Sequence, residues 1–254
     1  MAQTYGGYLK LDELLSLQQV GPEHDEMLFI TIHQVYELWF KLVLHEVAHV
    51  QGALEGGDAP TALATFKRIL TTFKILVAQV DILETMTPVS FLTFRARLET
   101  ASGFESLQFR EVEFALGARN PALLRRYEPQ EGRLQRLLER PSLWDSFLRY
   151  LAGKGYPVPP PALARDLSQP PREDPEVQHL LVDIYHRDPA TRDLCERLVD
   201  LDEGLQEWRY RHVKMVERTI GTLRGTGGST GADYLKSTLF KPLFPDLWAI
   251  RPRL

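Results

Sequence analysis

Between Asp188 and Gly221, the residues Leu194, Leu198, Leu201, Leu205, Trp208, His212, Met215 and Thr219 recur at alternating steps of four and three. That spacing puts all of them on one face of a long helix. A face so apolar must turn inward, so the chain is committed to a helix running through its interior. Helical patterning continues over most of the sequence, at Leu9–Gln18, His24–Glu55, Pro60–Met86, Val89–Thr100, Gly103–Leu116, Pro121–Tyr127, Gly132–Leu138, Ser142–Leu151 and Glu176–His186. Gly56-Gly57-Asp58, Thr87-Pro88 and Asn120-Pro121 separate these segments with stop and start chemistry. Strand alternation bounded by turns is essentially absent, so the expected fold is all-α, one large helical domain over residues 1–254.

Two histidines break the apolar stripes. His212 sits within the face just described. His33 lies in the His24–Glu55 segment, where Leu28, Ile32, Val35, Trp39 and Leu42 form one stripe and Phe29, His33, Tyr36, Phe40 and Val43 form its neighbour. Apolar character on both stripes implies burial around much of that helix. A buried neutral imidazole needs a hydrogen-bond partner or a metal, and by pattern alone each could be a satisfied core histidine. Two of them on two central helices make a better candidate for haem or metal than one. Soon after Thr222 comes Arg224-Gly225-Thr226-Gly227-Gly228-Ser229-Thr230-Gly231, a flexible run rich in backbone donors. It lacks the Gly-Lys-Ser/Thr ending of a phosphate cradle, which argues against a nucleotide.

A second pattern competes. His45-Glu46-Val47-Ala48-His49 matches the zinc-peptidase motif H-E-x-x-H, followed by Gly52 and Glu55. No sheet edge is expected to receive an extended substrate, and Glu55 falls at a Gly-Gly helix end. His45, Glu46, His49 and Gln51 fit a solvated helix face equally well.

The remaining composition narrows the classes. With 34 acidic and 30 basic residues the net charge is -4, which disfavours a general nucleic-acid or anionic-membrane binder. Cys195 is the only cysteine, so thiolate clusters and intrachain disulfides are excluded. Met1–Leu15 has no basic-then-apolar leader, and the apolar stretch Met27–Leu44 carries His33, Glu37 and Lys41. Both observations favour a cytoplasmic protein that does not span a membrane. Residues 153–175 hold seven of the 17 prolines and read as a rigid surface loop rather than a domain linker.

Six separated segments resemble the tryptophan 2,3-dioxygenase family in the family's order. They are Thr4–Asp12; His24–Ile30 with His33-Gln34 and Glu37-Leu38-Trp39; Ser102-Gly103-Phe104; Ser106-Leu107-Gln108; Trp208-Arg209 with Arg211-His212; and the Gly225–Gly231 loop. The likeness runs from Thr4 to about Pro245; the chain begins almost at the first motif and has no long C-terminal tail. The resemblance implies a homotetramer with one haem b per subunit, set between central helices and ferrous when active. It implies opening of the indole pyrrole ring of L-tryptophan with O2 to give N-formyl-L-kynurenine, the first step of tryptophan catabolism by the kynurenine route. A related haem oxygenase acting on a modified indole or another aromatic amino acid is the nearest alternative.

Carried onto this sequence, the resemblance makes His212 the proximal iron ligand and His33 the distal histidine facing the indole N–H. Phe29 packs on the indole, Arg95 grips the substrate carboxylate, and Thr226 helps hold the amino-acid backbone. Leu98, Ser102 and Gly103 fall in the distal pocket, the last two also beside the cofactor. Tyr5, Tyr8 and Leu9, within an N-terminal segment 1–20, are lent by a neighbouring subunit. Phe91 departs from the pattern: relatives carry a tyrosine there whose hydroxyl helps bind the carboxylate, so weaker tryptophan binding is expected.

Overall fold

The computed structural model describes residues 3–127, 130–226 and 231–254. Among them every regular element is helical. In chain order the α-helices are α1 (Tyr5–Leu9), α2 (Leu11–Leu15), α3 (His24–Glu55), α4 (Ala59–Leu83), α5 (Pro88–Arg95), α6 (Leu107–Leu116) and α7 (Glu131–Leu138). They continue as α8 (Leu143–Gly153), α9 (Pro160–Leu163), α10 (Pro175–Arg187), α11 (Pro189–Ile220), α12 (Ala232–Lys236) and α13 (Pro245–Ala249). Short 3-10 turns occupy Ala96–Leu98, Gly103–Glu105, Pro121–Tyr127 and Arg251–Arg253.

Four of the helix starts follow one rule. Asp58, Thr87, Asp174 and Asp188 each accept a backbone N–H of the first turn, and each is followed within two residues by proline, which has no N–H to leave unpaired. At α8 a full capping box forms, Ser142 and Asp145 each bonding the other's backbone. Gly57, at φ +77, reverses the chain between α3 and α4.

Helix α3 packs on α4, α6 and α8, and α11 packs on α4. Its most apolar window has a mean hydropathy of 1.3, so α3 is by length and composition apolar enough to cross a membrane. In this fold its C-terminal half buries Val43, Val47, Val50 and Leu54 against Phe66, Ile69, Phe73 and Leu76 of α4. The stripe on α11 divides in two. Leu194, Leu198, Leu201 and Leu205 are fully buried in the same core. Trp208 belongs to that core as well and, with His212, Met215 and Thr219, lines a cavity.

Residues 153–175 are pinned to the surface of the domain. Arg165 pairs with Asp145 of α8 at 2.6 Å, and Arg119 bonds the Leu167 carbonyl. Four short helices, α1, α9, α12 and α13, form outside the segments expected from periodicity, each too brief to show a helical repeat.

Candidate functional site

A cavity of about 230 Å³ lies between the N-terminal half of α3, the C-terminal half of α11, α5, α6 and the turn after α5. His33 and His212 both line it. The Nδ1 of His33 is 2.7 Å from the carbonyl of Phe29 one turn earlier. A carbonyl can only accept, so Nδ1 carries the hydrogen and the neutral ring offers Nε2 as an acceptor. Burial pushes the His33 pKa below its ordinary value, partly opposed by that carbonyl and by Glu37, so the ring is neutral at pH 7. Phe29 packs on it at a ring-centroid distance of 4.1 Å and also meets Phe91 and Phe94.

His212 stacks on Trp208 of the preceding turn, 5.1 Å between centroids and 16° between planes. Burial, with smaller contributions from the neighbouring His33 and Arg110, lowers its pKa to about 4. The ring therefore keeps a free lone pair, and none of the described hydrogen bonds involves it. An unpartnered neutral imidazole in an apolar cavity has the donor chemistry of an axial ligand to haem iron. Trp208 Nε1 and Arg209 Nε are also buried without partners. The donor set fits haem.

At the mouth, Arg95 ends α5 and its Nη2 donates to the Arg224 carbonyl at 2.6 Å. Thr226 Oγ1 donates to the Ala101 carbonyl at 2.5 Å. Both side chains thus tie the segment after α11 to the segment after α5. Gly231, at φ +65, closes that loop where a Cβ would stand 2.7 Å from the Leu223 carbonyl, so only glycine fits. Gly227, Gly228, Ser229 and Thr230 lie outside the described residues. Ser102 accepts from the Phe104 N–H, and a Cβ on Gly103 would meet nothing within 4 Å, leaving open space against that backbone.

Of the residues singled out from sequence, Phe29, His33, Phe91, Arg95, Ser102, Gly103, His212 and Thr226 line this one cavity. Leu98 packs in the adjoining apolar cluster with Phe29 and Phe91. Tyr5, Tyr8 and Leu9 are exposed and do not reach the cavity within one chain. The zinc-peptidase pattern does not form a site. Glu46 is buried with both oxygens 2.8 Å from Arg68 Nη1, while His45 and His49 are exposed. Among the described residues no three His, Cys, Asp or Glu side chains gather to hold a metal. The solvated-face expectation was also wrong for Glu46, because α4 supplies a cation that the α3 sequence alone does not reveal.

Periodicity missed a charged part of the cavity wall. Arg110 and Glu113 of α6, with Arg209 of α11, are buried and line the cavity. Arg110 Nη1 and Arg209 Nη2 both bond Glu113, the latter at 2.6 Å, and Arg110 Nε donates to the Tyr127 hydroxyl at 2.9 Å. Burial works against the charge of Arg110, yet the Glu113 carboxylate outweighs it and leaves the guanidinium pKa above its ordinary value. The available signal was an Arg and a Glu three residues apart in a helix otherwise apolar at most positions.

The family model described as tryptophan 2,3-dioxygenase matches residues 1–141 and 176–254, passing over most of the proline-rich segment. A tryptophan 2,3-dioxygenase of Herpetosiphon aurantiacus is 57% identical, with 100% of this chain and 99% of that protein covered. One from Anaeromyxobacter sp. is 57% identical over 100% of this chain and 97% of its own length. One from Caulobacter vibrioides is 45% identical, with both chains covered completely.

Proposed function

This chain belongs to the tryptophan 2,3-dioxygenase family, and on that premise we propose that it opens the pyrrole ring of L-tryptophan's indole with O2 to give N-formyl-L-kynurenine. The observation that carries the site assignment is a single cavity holding one unpartnered neutral imidazole, His212, and one oriented neutral imidazole, His33. His212 would hold haem b through its ring nitrogen, with Ser102 and Gly103 beside the porphyrin. Ferrous haem, when bound, supplies the activation of dioxygen.

The protein's own part is placement. His33 keeps its hydrogen on Nδ1, so Nε2 accepts from the indole N–H and fixes the ring's orientation. Phe29, Phe91 and Leu98 give the indole an apolar seat and keep water from it. Arg95 exchanges the Arg224 carbonyl for the substrate carboxylate, a better acceptor because it is charged and matches the guanidinium fork. Thr226 exchanges the Ala101 carbonyl for the amino-acid backbone in the same way.

Tyr5, Tyr8 and Leu9, exposed here, are assigned to a neighbouring subunit's pocket in a homotetramer. Dilution to monomers would then abolish turnover. A cytoplasmic location belongs to the same proposal. Titrating the purified chain with hemin tests the assignment: a stoichiometric Soret band is expected, and its loss in His212→Ala. A colourless wild type, or an unchanged band in the variant, contradicts it.

A further inference from the structure

We propose that Glu113 is a positioning residue that holds a net positive charge beside the His212 end of the cavity, and that this charge favours the ferrous state of the iron. The inference rests on the haem reading above and assigns a role to residues that reading leaves unused.

Glu113 accepts Arg209 Nη2 on Oε1 and Arg110 Nη1 on Oε2. Two guanidiniums therefore share one carboxylate. Neither arginine has a second carboxylate partner among the described residues, and Tyr127, which takes Arg110 Nε, passes its own hydrogen to the Phe104 carbonyl at 2.8 Å. One positive charge remains uncompensated. All three side chains are buried, where a charge acts over longer range and salt screens it little.

The path to His212 is short. The Arg110 guanidinium lies 5.6 Å from the Phe109 ring centre, Phe109 lies 4.7 Å from Trp208, and Trp208 stacks on His212. Reduction adds one electron to ferric iron from an external one-electron reductant, with no proton exchanged at these side chains. A fixed positive charge nearby lowers the energy of the state that has gained the electron. Without Glu113 the two guanidiniums would repel one another and lose their common anchor.

The test is the reduction potential of the full chain loaded with hemin, read from the ferric and ferrous Soret bands in the presence of mediator dyes. Arg209→Gln removes one cation and should shift the equilibrium about tenfold towards ferric, which is 59 mV for one electron. Glu113→Gln removes the anion and should shift it the other way. Arg209→Lys keeps the charge and should stay near wild type. Loosened packing alone does not give opposite signs at two ends of one ion pair. Shifts in the same direction, or none in either variant, overturn the inference. If Glu113→Gln does not fold, the contrast between Arg209→Gln and Arg209→Lys decides it, equal potentials overturning it. A wild-type chain that takes up no hemin overturns the haem reading as well, which is distinguishable from bound haem with an unmoved potential.

Discussion

The two ends of the cavity satisfy their arginines in opposite ways. At the inner wall, Arg110 and Arg209 are bound to a buried carboxylate supplied by the protein itself. At the mouth, Arg95 is only partly buried and its described hydrogen bond goes to a backbone carbonyl of an exposed residue, Arg224. A guanidinium already paired with a buried anion is part of the framework, since separating them leaves a charge without a partner. A guanidinium resting on a neutral carbonyl is available, because an incoming carboxylate is a stronger acceptor. The same residue type is therefore structural at one end and exchangeable at the other.

Substitutions at the two ends should separate fold from binding. Glu113→Ala should destabilise the protein by about 3–5 kcal/mol, since it strands two buried guanidiniums, whereas Arg95→Gln should change stability by no more than about 0.5 kcal/mol. Urea midpoints at constant slope measure both, and equal losses would erase the distinction. Arg95→Gln should instead weaken tryptophan binding by roughly ten- to a hundredfold, the loss of a hydrogen bond to a charged group at about 1.5–3 kcal/mol. Phe91→Tyr works in the opposite direction at the same end. Restoring a hydroxyl should tighten binding by about tenfold, and calorimetry showing equal or weaker affinity would sink the account of Phe91.

The smallest effect concerns pH. His33 titrates below its ordinary value of 6.5, so Nε2 stays free to accept at that pH and above. Tryptophan affinity should be flat from pH 8 down to 6.5 and fall only as protonation removes the acceptor. A decline centred at or above 6.5 would show that the imidazole is not shielded as described. For the unloaded chain the sign follows from His212. With its folded pKa at about 4, the unfolded form binds more protons between pH 6.5 and 4, so this group's contribution to stability shrinks as pH falls through that window.

The contrast also explains what the sequence disclosed. Helix periodicity and Asp-Pro or Thr-Pro caps mark α3, α4, α5, α10 and α11 because those signals are local. The stripe on α11 did identify His212, but nothing in it distinguishes the core half ending at Leu205 from the cavity half beginning at Trp208. That division depends on which other helices pack against each half of α11, which no local pattern encodes. Glu46 illustrates the same limit, since its partner Arg68 is on another helix. Glu113 does too, with Arg209 ninety-six positions away in the chain. Arg95 and Thr226 were found through the family's motifs; as isolated residues they resemble ordinary surface side chains.

The most direct test of the central claim is turnover of the ferrous, hemin-loaded chain with L-tryptophan under isotopically labelled dioxygen. Mass spectrometry should show N-formylkynurenine with label at both newly inserted oxygens. Product labelled at only one position, or untouched tryptophan beside a fully formed Soret band, would contradict the account.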